Sequence, residues 1–207
     1  MAASLRLLGI FAHPDDETLG TGGTLARYAS EGVETYLVTA TRGERGWFGP
    51  PEEDPGLTAL GQMRERELAA AARVLGVKEH WLLDAIDGEL DQAPAPAITA
   101  RLVDIIRTVR PDVVLTFDPF GVYGHPDHIA ICQLATGAVF AAADPAYQDG
   151  AERAPHSVSK LYYNVLTQAD FEIYEQAFGE LVMEINGTPR WSVAWPRWSI
   201  TTHIDTS

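Results

Sequence analysis

Apolar and polar positions along the chain alternate between two periods. The run from Leu5 to Ala12, interrupted by Arg6, predicts a buried strand, Thr21 to Ser30 a helix closed by Gly32, and Val33 to Thr41 a second strand, which together make a βαβ unit. A Gly/Pro-rich loop follows from Arg42 to Gly56. Apolar residues at helical spacing then run from Leu57 to Leu75 and stop at Gly76, a natural helix end. Trp81 to Leu83 fits a short strand and Pro96 to Val109 a helix. Asp112 to Phe117, a β-branched run between Pro111 and Pro119, fits a third central strand. Asp127 to Ala143 is again helical in period, and Lys160 to Leu166 and Ser199 to Ile204 are strand candidates. Such alternation predicts an α/β three-layer sandwich, a mostly parallel sheet with helices on both faces. Pro50 to Pro55 and Asp144 to Ser157 combine Pro, Gly and charge without periodicity and are expected to be mobile loops.

Composition narrows the function. A chain of 207 residues, 46% hydrophobic and 21% charged, suits one globular domain over 1–207. Fifteen basic against 29 acidic residues leave a net charge of −14, which disfavours nucleic acid and anionic membrane surfaces as partners. The only cysteine, Cys132, cannot form an intramolecular disulfide. The N-terminal apolar stretch is too short and too soon charged to be a signal peptide or membrane span, so a cytoplasmic location is expected. Composition leaves a homo-oligomer open.

The chemistry gathers where predicted strands end. AHPDDE (Ala12 to Glu17) puts His13, Asp15, Asp16 and Glu17 at the carboxyl end of the first strand, the edge where open α/β sheets bind ligands. TRGERG (Thr41 to Gly46) leaves the second strand at the same edge, so Arg42 and Glu44 could reach the same cleft. Asp118 and then YGHPDH (Tyr123 to His128) leave the third. Imidazole and carboxylate donors suit divalent zinc, and catalytic zinc typically takes three protein ligands. His13, Asp16 and His128 supply such a set; iron or cobalt would suit the same donors. Zinc lowers the pKa of a coordinated water from about 15.7 towards about 7. Asp15 is then the candidate base. Tyr123 and His125 are candidate donors to the oxygen of an attacked amide, and a protonated His125, held charged by Asp127, could also give a proton to the leaving amine.

AHPDDE and YGHPDH together resemble the LmbE-like, or PIG-L-type, de-N-acetylase family. The resemblance runs from about Leu5 to Ala143 and includes TRGERG, MRERELAAAARVLGV (Met63 to Val77) and RPDVVLTFDP (Arg110 to Pro119). It implies a Rossmann-like fold, zinc, and hydrolysis of N-acetyl groups on glucosamine-containing small molecules. Carried over residue by residue, the metal ligands fall on His13, Asp16 and His128, the base on Asp15 and the oxyanion or acid residue on His125. Tyr123 matches an oxyanion-assisting tyrosine and Asp127 the carboxylate paired with the catalytic histidine. Arg64 and Asp87 (in IDGEL) match residues that grip sugar hydroxyls. Many members continue past the position of Asp205 into a further C-terminal helix, where this sequence stops at Ser207, so either a more open pocket or a sequence incomplete at its C-terminus is expected. Trp191, Trp195 and Trp198 near that end are candidates for stacking on a sugar face.

Overall fold

A computed structural model describes residues 4–148, 150, 153–185 and 187–207. Part of the loop expected over Asp144 to Ser157, residues 149, 151 and 152, lies outside the described residues. The chain runs β1 (Arg6–Phe11), α1 (Asp16–Ser30), β2 (Glu34–Thr41), α2 (Leu57–Val74), β3 (Val77–Ala85), α3 (Ala95–Val109) and β4 (Val113–Phe117). A short turn of helix, α4 (Gly121–Gly124), precedes α5 (Pro126–Ala143), β5 (Lys160–Asn164), α6 (Gln168–Phe178), β6 (Val182–Ile185) and β7 (Thr188–Trp191).

β1 to β5 form one parallel sheet in the order β3-β2-β1-β4-β5. The chain steps from β1 outward to β3, then crosses to the other side of β1 for β4 and β5. Because parallel crossovers are right-handed, this reversal places α1 and α2 on one face and α3 and α5, which pack on each other, on the opposite one. It also opens a crevice above the carboxyl ends of β1 and β4, the topological switch point. β1 and β2 are buried along nearly their whole length, with Leu8 opposite Tyr36 and Ile10 opposite Val38, which is why they read as continuous apolar runs. The core joins these strands to Leu102, Ile106 and Ile131 of α3 and α5. At the rim of the crevice Phe11 meets Phe117 edge-on, their ring centroids 5.4 Å apart.

Three expectations differ from the fold. α1 starts at Asp16 rather than Thr21: its glycines hide the helical period, but the Asp15 carbonyl already accepts from Thr18 and Leu19. β3 extends over Val77–Ala85 because it is an edge strand, where Lys78, Glu79 and His80 can face solvent without breaking the ladder. No strand forms over Ser199 to Ile204. Arg197–Ser199 is a single 3-10 turn, and beyond it the tail lies across α1, where the Arg27 guanidinium donates to the Asp205 carbonyl. With no neighbouring strand edge, its alternation has nothing to pair with.

α6 and the β6–β7 hairpin were not expected. The sequence carried a signal for the helix, Thr167 three residues before Asp170. Thr167 Oγ1 accepts the Asp170 N–H at 3.1 Å, and the Asp170 carboxylate accepts the Thr167 N–H at 3.3 Å, a reciprocal capping box. No residue of α6 is buried, so the cap rather than the core holds its first turn. Thr167→Ala should therefore cost about 1 kcal/mol locally, seen as roughly fivefold weaker hydrogen-exchange protection of the α6 amides with the global melting temperature unmoved. Unchanged α6 protection would refute the cap's role. Among the described residues no helix is long and apolar enough to cross a membrane.

Candidate active site

The loop after β1 is wound tightly around Asp16. Its Oδ2 accepts the Ala12 N–H at 3.2 Å and the His13 N–H at 2.7 Å, which turns the carboxylate back over the strand end. Asp15, next to it, takes φ 111° and ψ −30°, a conformation side chains rarely adopt. Buried Glu17 braces this turn by accepting the Asp15 N–H at 3.1 Å. Asp15 begins α1 without capping it through its side chain, so its carboxylate is free to face the crevice.

His13 is a junction between two groups of acids. Its Nδ1 lies 3.5 Å from Asp16 Oδ2 and 3.2 Å from His128 Nε2, and His128 Nε2 lies 3.5 Å from Asp16 Oδ1. On the opposite edge of the ring, His13 Nε2 lies 3.2 Å from both Asp87 Oδ1 and Asp127 Oδ2. A proton on Nε2 answers those two carboxylates and leaves the Nδ1 lone pair facing Asp16 and His128. Carboxylate partners of this kind orient histidines that bind metal.

The fit to a metal can be tested on the three separations. Donors about 2.0 to 2.2 Å from a tetrahedral ion stand about 3.3 to 3.6 Å from one another. The two ring nitrogens stand 3.2 Å apart, and each lies 3.5 Å from an Asp16 oxygen, Oδ2 for His13 and Oδ1 for His128, so the two imidazoles and the carboxylate are close enough to share one divalent cation. His128 stacks on Phe117, centroids 3.9 Å apart and planes 8° from parallel, so the apolar core sets the plane of that donor.

Electrostatics favour Asp16 and His128 as donors as they stand, whereas His13 has to give up its Nδ1 proton to bind a cation. Burial alone would raise the Asp16 pKa, but His128 and His13 outweigh it and hold it at about 2. Burial lowers His128 to about 4, against the pull of Asp16, so its ring stays neutral and able to donate a lone pair. For His13, burial opposes charging, but Asp127, Asp16 and Asp87 carry its pKa well above the ordinary value. Burial and neighbouring Asp16 push Asp15 up to about 6, with Arg64 and His13 pulling the other way.

Arg64 meets this loop from α2. Its Nη2 donates to the Pro14 carbonyl at 2.5 Å and to Asp15 Oδ2 at 2.6 Å, and Nη1 donates to the Gly43 carbonyl at 3.3 Å. The glycines of TRGERG make room for Arg64: a Cβ at Gly46 would stand 2.2 Å from Arg64 Nη1.

The 118–128 segment is set by Asp118, whose carboxylate accepts from Phe120 N–H at 2.8 Å and Val122 N–H at 3.0 Å. It ends at His125, whose Nδ1 accepts the Asp127 N–H at 3.1 Å and so caps α5. That bond leaves the His125 proton on Nε2. The Tyr123 ring stands edge-on to His125 and His128, centroids 5.7 and 5.4 Å away, and burial beside Asp16 and Asp15 keeps its phenol protonated.

Several expectations need correcting here. Asp127 does not hold His125 in its charged form: its carboxylate accepts from Gly88 N–H at 2.7 Å and Leu90 N–H at 3.0 Å and faces His13. Burial and nearby His13 lower the His125 pKa, and the positive end of α5 adds to this, so the ring is a neutral Nε2–H donor and not a protonated acid. Arg42 turns away, with Nε 3.0 Å from Glu65 and Nη1 2.5 Å from Asp84. Asp87 is engaged at both oxygens, with His13 at 3.2 Å and the Arg45 N–H at 2.9 Å, so it faces His13 rather than open solvent. Glu44 does arrive, accepting the Asp87 N–H at 3.1 Å. Trp191 and Trp198 stand on the exposed C-terminal segment, Trp198 86% accessible. The bracing roles of Glu17, Asp118 and Phe117 were not foreseen; only their place beside the motifs pointed to them.

The chain is 43% identical over 190 residues to the 1D-myo-inositol 2-acetamido-2-deoxy-alpha-D-glucopyranoside deacetylase of Streptomyces griseus, 81% of this chain but 57% of that protein's length. Among solved structures it is similar to the N,N′-diacetylchitobiose deacetylase of Pyrococcus horikoshii, with 30% identity, a TM-score of 0.68, and coverage of 83% of this chain and 67% of that one. It is also similar to the 4-carboxy-2-hydroxymuconate hydratase of Pseudomonas putida, with 25% identity, a TM-score of 0.64, and coverage of 77% and 65%. The fold therefore hosts more than one chemistry, and function has to be argued from the site. The family described as PIG-L, GlcNAc-PI de-N-acetylase, matches residues 8–139, the span that carries every residue of the crevice described above, and the chain belongs to that family.

Proposed function

We propose that the chain is a zinc-dependent hydrolase that removes the acetyl group from an N-acetylglucosamine unit joined to a polyol or a second sugar. The observation that carries this reading is the meeting of His13 Nδ1, His128 Nε2 and the Asp16 carboxylate, the nitrogens 3.2 Å apart and each 3.5 Å from one of the two Asp16 oxygens. The names of the Streptomyces relative and the Pyrococcus neighbour support the acetamido-sugar substrate. A site crowded with Asp15, Asp16, Asp87 and Asp127 also suits a resident divalent cation.

When bound, zinc would polarise the acetyl carbonyl and make a water molecule beside it more acidic. The residues do the rest. Asp15, held by Arg64 and not spent on capping α1, accepts a proton from the attacking water and returns it to the nitrogen as the C–N bond breaks. The His125 Nε2–H and the Tyr123 hydroxyl donate to the carbonyl oxygen as charge builds there, with the His125 tautomer fixed by the Asp127 N–H. Asp127 and Asp87 keep His13 turned to the ion. Acetate and a primary amine leave in equal amounts.

The test is to incubate zinc-loaded protein with N-acetylglucosaminyl-inositol and with N,N′-diacetylchitobiose, and to quantify acetate and free amine. Equimolar release that disappears on chelation and returns with zinc is expected. A protein that holds zinc but releases no acetate from either compound would defeat the proposal.

A further inference from the structure

The segment that presents Tyr123 and His125 is held in a conformation its own sequence disfavours. Gly121, Val122 and Gly124 all have positive φ, at 73°, 65° and 73°. A β-branched residue there is an outlier, and such strain persists only where the surroundings impose it. From inside, Asp118 takes up two N–H groups of this turn. From outside, two bonds reach it from the β7 arm: the Val193 N–H donates to the Val122 carbonyl at 3.1 Å, and Arg190 Nη1 donates to the Gly124 carbonyl at 2.6 Å. The arm lies about fifty residues past the end of the family match at residue 139.

We infer that Arg190 is a positioning residue for catalysis: by fixing the Gly124 carbonyl it sets where Tyr123 and His125 stand over the substrate. The inference rests on the deacetylase reading above. Its physical basis is the planarity of the peptide. The Gly124 carbonyl and the His125 N–H belong to one rigid unit, so pinning that oxygen fixes the plane from which His125 starts and into which Tyr123 leads. Gly124 lacks the side chain that would otherwise shape this turn; a Cβ there would stand 3.4 Å from Arg190 Nη1. The Arg190 Nε is buried without a hydrogen-bond partner. An apolar side chain would close the same gap without stranding a donor, so the guanidinium serves the carbonyl rather than the packing.

Arg190→Ala, Arg190→Met and Arg190→Lys separate the alternatives. Alanine and methionine remove the donor, methionine keeping the bulk, whereas lysine restores a donor. Alanine and methionine should each lower kcat about tenfold, with KM within about twofold, zinc content unchanged and the His125 imidazole 15N resonances displaced. Lysine should return kcat to within about threefold of the parent and bring the resonances back. Parent-like kcat in Arg190→Ala, or methionine equal to lysine, would overturn the inference. The resonances distinguish the two levels of argument. If they move in the donorless variants while the parent itself releases no acetate, the positioning stands and the deacetylase reading falls. If they do not move, the positioning falls whatever the activity.

Discussion

Zinc-loaded Asp15→Asn is expected to keep its ion and to turn over about 10² to 10⁴ times more slowly than the parent, with KM little changed. That corresponds to roughly 2.7 to 5.5 kcal/mol of lost transition-state stabilisation. Asparagine is the informative substitution. It tolerates the unusual backbone at φ 111° better than alanine does, and its carbonyl still accepts from the buried Arg64 guanidinium, which alanine would strand. What it removes is the capacity to accept a proton. Steady-state kinetics with elemental analysis of the same preparation checks the prediction. Turnover within a few-fold of the parent would mean that Asp15 only shapes the loop. Loss of zinc together with activity would place it among the ligands instead.

Asp127→Ala should be the most damaging single change to the folded site. The carboxylate is fully buried, with Oδ1 accepting from Leu90 N–H and Oδ2 from Gly88 N–H while also facing His13 Nε2. Removing it leaves buried donors unanswered and should cost roughly 3 to 5 kcal/mol of stability. Zinc affinity should fall about 10- to 100-fold, because His13 loses one of the two carboxylates that orient it. Asp87 remains on the same nitrogen at 3.2 Å, so Asp87→Asn should weaken zinc less than Asp127→Ala does. Denaturant unfolding of the metal-free proteins gives the first quantity, and zinc titration against a competing chelator the second. If Asp127→Ala binds zinc as the parent does, Asp127 does not orient His13.

Both predictions turn on contacts that the sequence pointed towards without resolving. AHPDDE and YGHPDH could be placed at strand ends because a buried strand is a local pattern and its polar exit is local too. Their convergence followed from the rule that parallel strands deliver their carboxyl ends to one edge, and the β3-β2-β1-β4-β5 order bears this out. The partner of Asp127 was misjudged for a physical reason. Residues two apart at a helix start do not face each other, so it is the backbone of Asp127 that meets His125 while its side chain turns to the 88–90 loop. Arg42 was misjudged because alternatives on α2 and β3, Glu65 and Asp84, come within reach only once those elements pack.

The sequence by itself determined the α/β class, most of the elements and the kinds of side chain at the crevice, because periodicity and residue chemistry are written within short windows. The tertiary structure alone decided which nitrogen of His13 meets which carboxylate, that Asp15 is left uncapped and gripped by Arg64, and that an arm from β7 holds the Gly124 carbonyl. Each of these joins segments tens to more than a hundred residues apart. A difference of one ångström in how strands and loops align chooses among several equally suitable partners, and no short stretch of sequence carries that distance.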